Sequence, residues 1–290
     1  MVIVIRKVDL SFYNIRTDLI SDIVVDKNIV SYKNKNIKVS RYFIDYKLSK
    51  KLKKEKGEYL TIYFEDISDI TSYNNLFSIF KKEFKNMLKE YNLDNILIIG
   101  LGNIKSTPDS LGPRVIDLIK STRHIKELMG SLEKGFKTVS KISPGVMGET
   151  GIETIDIIRG VVDNIKPSLL IVIDALASSN VDRLCKTIQI TNTGVSLGSG
   201  VKNNRGRIDY DTYKIPVLAI GVPTVLYAST IIYDALSFYD KKLIKDITKN
   251  IDENLIVTPK DIDFDINNLS KLISDIINLS IHVGLNDKKV

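Results

Sequence analysis

The chain has 290 residues, of which 43% are hydrophobic, and a formal net charge of +7 at pH 7. This length and composition can bury one large core, and no window of about 18 uninterrupted apolar residues is present to cross a membrane. The single cysteine, Cys185, excludes an intrachain disulfide bond and suits a reducing compartment. We therefore expect a cytoplasmic protein with no membrane partner.

The N-terminal part of the chain, over about residues 37–66, is predicted to be rich in β-strands. Residues 41–46 and 58–64 are β-prone and flank a lysine run at 47–56, so they are predicted to pair as a hairpin with a long polar loop. A basic run can contact nucleic acid or be a solvated loop. No nucleic-acid-binding motif accompanies this one, so we favour the solvated loop and expect no direct contact with nucleic acid.

Farther along the chain, predicted helices and strands alternate. An amphipathic helix is predicted over residues 74–90. Strands are predicted at residues 96–99, 138–142, 169–173, 187–191 and 216–220. Helices are predicted at residues 111–122 and 152–165, between 224 and 238, and after 258. This alternation predicts an α/β fold with a mostly parallel sheet, helices on both faces and an N-terminal β-rich extension.

The most informative stretch is residues 96–113, which runs from a buried strand through a glycine turn to the start of a helix. Gly100 and Gly102 close the strand, and Asp109 is the acid in the loop that follows. Pro113 suits a first helical turn because the N–H that it lacks would be unpaired there. Since open α/β sheets bind ligands at the carboxyl ends of their strands, Asp109 is predicted to lie where chemistry takes place.

A second acid, Asp174, stands at the end of the predicted strand 169–173. If the two strands are parallel, Asp109 and Asp174 lie at the same edge of the sheet. Neighbouring carboxylates do not both ionise easily, so one can keep a proton while the other activates water, as amide hydrolysis without a metal requires. Alternatively, each aspartate caps the N-terminus of a helix. The spacing fits both interpretations.

Other kinds of site are poorly matched by the sequence. The glycine turn lacks the third glycine and the later acid of a dinucleotide-binding fingerprint. His124 and His282 have no ligand-like spacing, and no Gly-x-Ser-x-Gly elbow is present. We therefore expect neither a metal nor a cofactor, and we interpret Cys185 as a small buried hydrophobe rather than a catalytic thiol.

Several motifs together resemble those of the germination protease family of endospore-forming bacteria. They are GLGN at 100–103, TPDSLGP at 107–113, PGVMGETGIET at 144–154, IDALA at 173–177, NTGV at 192–195, GSGV at 198–201, IGVPT at 220–224 and VTPK at 257–260. RTDL at 16–19 is similar to the family's zymogen processing site. The motifs follow the family's order over nearly the whole chain.

The resemblance implies an atypical aspartic endopeptidase that degrades small acid-soluble, DNA-protecting spore proteins during germination. It implies a cut after an acidic residue and before an apolar one, with Asp109 and Asp174 as the catalytic acids. It also implies a self-processed zymogen cut between Asp18 and Leu19, a homotetramer, and a location in the cytoplasm of the forespore and spore core. Residues 1–18 would then be the propeptide, and 19–290 a single peptidase domain.

Four cations are candidates for binding the substrate's acidic side chain in a charge-assisted pair. They are Arg114, Lys202, Arg205 and Arg207. The last three are also typical of a solvated loop.

The chain departs from the family's pattern at two places. Ile20 stands where the family usually has alanine, which bears on self-processing. Only residues 239–257 lie between the helix predicted to end at 238 and the VTPK motif, where family members carry a long insertion.

Two alternative functions stay open at this point. A more distant resemblance to hydrogenase maturation peptidases, which share the Gly-x-Gly-Asn turn, would make the chain a metal-dependent maturation peptidase. A non-catalytic binding protein on the same fold would keep the glycine loops and have dispensable acids. The leader is predicted to block access to the acids or to hold loop 143–151 away from them.

Overall fold

The structure is a computed structural model that describes residues 29–34, 36–52, 54–178, 180–197, 206–236 and 255–285. Several of the sequence predictions lie outside these residues. They are the propeptide 1–18, the processing site at Asp18 and Leu19 with Ile20 beside it, the GSGV motif at 198–201, and the candidate substrate-binding residues Lys202 and Arg205.

The N-terminal strands form an antiparallel meander of β1 (Ile29–Asn34), β2 (Ile37–Ile44) and β3 (Gly57–Tyr63). The pairing of β2 with β3 confirms the predicted hairpin. Its connection holds a helix, α1 (Tyr46–Leu52), where only a polar loop was predicted. The helix forms because Asp45 accepts the N–H of Leu48 at 2.8 Å, while Leu48 and Leu52 pack on the hairpin and Lys47 and Lys50 are exposed.

The remaining elements follow in chain order. The helices are α2 (Ile70–Leu88), α3 (Leu111–Leu118), α4 (Arg123–Met129), α5 (Met147–Thr150), α6 (Thr154–Ile165), α7 (Tyr210–Tyr213), α8 (Ala228–Ala235) and α9 (Ile262–Ile281). The strands are β4 (Asn95–Gly100), β5 (Thr138–Ile142), β6 (Leu169–Ser178), β7 (Thr187–Thr191), β8 (Val195–Ser196), β9 (Arg207–Ile208), β10 (Val217–Tyr227) and β11 (Ile256–Val257).

One large sheet has the strand order β1-β2-β3-β7-β10-β6-β4-β5, with β11 added beside β10. Strands β5, β4, β6 and β10 are mutually parallel. Strand β7 is antiparallel to both β10 and β3, so it joins the N-terminal meander to the parallel strands. The predicted α/β fold with an N-terminal β-rich extension is confirmed.

Apolar side chains cover both faces of this sheet. On one face, α2, α3 and α9 pack over alternate strand residues such as Leu169, Ile171 and Ile173. On the other face, α6 packs over Leu170 and Val172. None of the helices within the described ranges has the length and apolar character needed to cross a bilayer.

Several predicted boundaries were wrong, and the sheet explains the two that matter most. Strands β6 and β10 run past the predicted ends at residues 173 and 220, because their parallel pairing continues as far as Ser178 and Leu226. Asp174 therefore lies within a strand and not after its end. Helix α2 begins at Ile70 rather than 74, because Asp69 caps it by accepting the N–H groups of Thr71 and Ser72.

Helix α9 is hydrogen-bonded to the chain near both ends of α3. Near the start of α3, Arg114 Nη1 donates to Asn267 Oδ1 at 2.7 Å. Near its end, Asn278 accepts the N–H of Lys120 at 2.9 Å and donates to the carbonyl of Leu118 at 3.1 Å. These contacts fix α3, and the loop that precedes it, to the C-terminal helix.

Candidate active site

The end of β4 and the start of α3 approach each other more closely than side chains allow. A Cβ atom at Gly100 would collide with the backbone of Gly112, and one at Gly112 would collide with the carbonyl of Leu101. Both positions therefore require glycine. The intervening loop, residues 101–110, has to double back over the carboxyl end of the sheet, and this brings Asp109 to that edge.

Asp109 is held at the end of a short 3-10 turn, Thr107–Asp109. The N–H of Asn103 donates to Asp109 Oδ2 at 2.9 Å and to the Asp109 carbonyl at 3.1 Å. Gly102 makes this possible because its φ of +117° belongs to glycine, and a Cβ there would collide with the Asp109 carbonyl. The loop thus fixes the direction of one carboxylate oxygen.

Asp174 reaches the same edge from β6. The N–H of Leu101 donates to the carbonyl of Ile173 at 2.8 Å, so the glycine loop begins beside Asp174. On the other side, Asp174 is the register partner of Gly221 in β10. Asp174 therefore sits between the glycine loop and the neighbouring parallel strand.

The alternative that the two aspartates cap helices is wrong. The residue that precedes α3 is Ser110, whose side chain makes no capping hydrogen bond, and the Asp109 carboxylate accepts from the loop instead. Asp174 lies in the middle of β6, away from any helix start.

The two carboxyl groups interact electrostatically and titrate differently. Burial raises the pKa of Asp109 to about 6, and the N–H of Asn103 opposes this shift. Burial and, secondly, the charge of Asp109 raise the pKa of Asp174 well above its ordinary value. Both residues are only partly buried, so solvent can reach them. The environment therefore favours the protonated form of both carboxyl groups, and for Asp174 the charge of Asp109 adds to the effect of burial.

Arg114 braces the turn that carries Asp109. Its Nε donates to Ser110 Oγ at 2.9 Å, and Ser110 Oγ in turn donates to the carbonyl of Thr107 at 2.8 Å. Together with the bond to Asn267, these contacts tie the turn to α9.

Arg207 has its own carboxylate partners elsewhere. Its Nε donates to Asp209 Oδ2 at 2.7 Å and its Nη1 to Ser196 Oγ at 2.9 Å, while Glu55 Oε1 lies 3.7 Å from Nη1. These contacts close the β8–β9 ribbon, and no contact among the described residues joins Arg207 to either aspartate.

The loop after β5 forms a second wall of the site. It contains α5, and Glu149 of that helix pairs with Lys105 of the glycine loop at 3.0 Å. The sequence analysis missed this pair, as it missed Asn103 and Asn267. Only the hydrogen bond of Asn103 to Asp109 is local in sequence. The other two contacts join residues that are distant in sequence and meet only in the folded chain.

Comparison with known proteins settles the family. A family model described as germination protease matches residues 14–243. The chain belongs to the germination protease family. Family membership confirms the predicted resemblance and makes the chain a protease, hence a hydrolase, of spore germination.

Its curated relatives match along most of their length. The germination protease of Caldanaerobacter subterraneus subsp. tengcongensis is 39% identical over 284 residues, covering 88% of this chain and 87% of that protein. The one from Clostridium acetobutylicum is 38% identical, covering 81% of each chain. The one from Bacillus licheniformis is 34% identical over 352 aligned positions, covering 96% of each. Because this chain has 290 residues, that relative contains insertions.

Among solved structures, a [NiFe] hydrogenase maturation protease, HycI from Thermococcus kodakarensis, matches with a TM-score of 0.35 and 15% identity. It covers 67% of this chain and 98% of its own. A likeness of this size carries no argument about function.

Proposed function

We propose that this chain is an endopeptidase that hydrolyses small acid-soluble spore proteins, using Asp109 and Asp174 as its general base and general acid. One observation carries the proposal: two partly buried, electrostatically coupled carboxyl groups at the carboxyl end of the sheet have pKa values raised to different extents. Such a pair divides one proton at neutral pH, and this gives each carboxyl group a separate role.

In this mechanism Asp109 is the base. Its ionised form is favoured by the N–H of Asn103, and it removes a proton from a water molecule that attacks the scissile carbonyl carbon. Asp174, still protonated, donates its proton to the nitrogen of the leaving amine as the C–N bond breaks. The proton that Asp109 took from water then passes to Asp174, and this transfer restores the starting state of the pair.

The proposed cleavage follows an acidic residue and precedes an apolar one. Arg114 is the described cation beside the catalytic turn, and it is proposed to receive the acidic side chain. Arg207 stays a candidate that would have to share its guanidinium with Asp209. Lys202 and Arg205 are proposed for the same role from their sequence positions alone.

The test compares single-atom changes in the two acids. The chain lacking residues 1–18 is incubated with a small acid-soluble spore protein and with a peptide containing Glu-Ile-Ala, as wild type, D109N and D174N. D117N, an exposed aspartate of α3, is the matched control. We expect both site variants to lose at least about a thousandfold in kcat, while D117N cleaves like wild type.

Full cleavage by D109N or D174N would contradict the mechanism. Loss of wild-type activity with a chelator would favour a metal-dependent peptidase. A wild-type chain that binds the spore protein without cleaving it would be a binding protein.

The remaining proposals concern the processing, the oligomeric state and the location of the enzyme. We propose that residues 1–18 are an inhibitory propeptide that the enzyme removes by cutting between Asp18 and Leu19. The enzyme would act as a homotetramer in the forespore and spore core. Equal peptide hydrolysis by full-length and trimmed chains would remove the inhibitory role.

A further inference from the structure

A cavity of about 430 Å³ opens near the carboxyl end of β10. Apolar side chains form most of its wall, among them Phe64, Ile67, Leu184, Leu226, Ile231 and Val257. The thiol of Cys185 also lines it, and burial raises the pKa of that thiol to about 12, so it stays neutral. The volume is typical of a site for a small molecule or a side chain rather than of a packing defect.

The cavity shares two structural elements with the candidate active site. The N–H of Cys185 donates to the carbonyl of Pro223 at 2.7 Å, two residues after Gly221, the register partner of Asp174. Asp265 of α9 lines the cavity, and Asn267, two residues farther along α9, holds Arg114. The cavity and the Asp109 turn therefore lie on either side of the first turns of α9.

A strand edge runs along the mouth of the cavity. Strand β11 contributes Val257 to the lining and, among the described strands, pairs with β10 alone. Val257 is 37% exposed, and Val181 on another part of the rim is 46% exposed. An extended peptide that pairs with such an edge places alternate side chains on one side, where a pocket can select them.

The rim of the cavity is acidic on one side. Glu65 and Asp66 are exposed and line both this cavity and an adjoining recess of about 270 Å³ that also contains Asp69. Lys186 is the one cation in the lining of the larger cavity. A basic side chain beside the apolar one would therefore meet opposite charge.

We propose that this cavity is a substrate subsite away from the scissile bond. It takes an apolar side chain of the extended polypeptide being cleaved, with a lysine or arginine of the same polypeptide at the acidic rim. The inference rests on the proposed function and adds to it a second recognition element that selects among polypeptides with the same cleavage sequence.

The experiment uses the chain lacking residues 1–18, as wild type and in each variant, with peptides that differ only outside the cleavage sequence. One short peptide contains Glu-Ile-Ala. Two longer peptides extend it on both sides with glycine and serine, and each extension carries either Leu-Lys or Ser-Ser. We expect Leu-Lys to lower the KM of the wild type about tenfold relative to Ser-Ser, the effect of burying one leucine side chain.

A cavity-filling variant tests the location. V257W puts an indole into the mouth, and we expect it to remove the difference between the two long peptides while cleaving the short peptide normally. L128W is the control, because Leu128 is 83% exposed on α4, which precedes β5 at the amino end of the parallel strands. V181W fills the mouth from another side and replaces V257W if that variant cleaves the short peptide poorly.

The results separate this proposal from the one on which it rests. Equal KM values for the two long peptides in a wild type that cleaves the short one overturn the subsite and leave the proposed function intact. A V257W or V181W variant that keeps the full preference for Leu-Lys also overturns it. A wild type that cleaves none of the peptides overturns the proposed function and the subsite together.

Discussion

At the scale of single residues, the candidate site contains a partly buried acid, Asp109, whose ionised form the fold stabilises less well than water does. The raised pKa of Asp109 means that its ionised form is less stable in the folded chain than in the unfolded chain. The proposed role of Asp109 as a base and the stability of the fold therefore make opposite demands on this residue.

D109N is expected to stabilise the protein at neutral pH. The pKa of the carboxyl group is ordinarily 3.8 and is about 6 in the folded chain. Between these values the folded state binds more protons than the unfolded state, so the free energy of unfolding falls as pH rises. Removing the charge should raise that free energy at pH 7 by up to about 3 kcal/mol. Thermal unfolding at pH 7 and below pH 4 checks this, with D117N as control. Equal melting temperatures for D109N and wild type at pH 7 would contradict it.

Arg114 can be tested as a substrate-binding residue apart from its bracing role. R114Q removes the charge, and we expect it to lower the preference for glutamate over glutamine before the cut about tenfold, since a charge-assisted bond is lost. N267A removes the bond from α9 and keeps the cation, so it should preserve the preference. The ratio of kcat/KM for matched Glu and Gln peptides measures the effect. A preference lost equally in both variants points to bracing alone.

At the scale of elements, the closeness of β4 and α3 places the turn that carries Asp109. G112A is expected to destabilise the protein by at least about 2 kcal/mol and to reduce activity, because its Cβ has only backbone atoms to displace. G160A in α6 is the matched control: nothing lies within 4 Å of its Cβ, and alanine favours a helix by up to about 1 kcal/mol. Urea unfolding of both variants gives the comparison, and a G112A variant as stable as wild type would refute the close-packing account.

Elements whose signal is local were predictable from the sequence. The apolar run of β4, the β-prone residues of β5 and β7 and the helical spacing in α6 and α9 reflect burial on one or both faces, which the residues themselves encode. The ends of β6 and β10 were not predictable. They depend on each strand continuing to pair with the other, and that partner is distant along the chain.

At the scale of the whole molecule, the order of strands in the sheet determined which contacts around the candidate site could be predicted from the sequence. Asp109 and Asp174 could be proposed as neighbours because parallel strands end at a common edge. The partnership of Arg207 with Glu55 could not, because β7 is inserted antiparallel between β3 and β10 and thereby brings the N-terminal meander to the parallel strands. Alternation along the chain predicts layers, but it does not predict which strands become neighbours.

The two walls of the candidate site, α3 with the Asp109 turn and the loop at residues 143–151, differ in how firmly they are anchored. The wall that bears Asp109 is hydrogen-bonded to the C-terminal helix near both ends of α3. The opposite wall meets it through Lys105 and Glu149, whose side chains are 78% and 26% exposed, and an ion pair so open to solvent is weak and screened by salt. The segment that carries Asp109 is thus held more firmly than the loop at residues 143–151. We therefore expect a polypeptide substrate to displace residues 143–151 rather than the turn that carries Asp109, so that Asp109 and Asp174 keep their alignment while it binds.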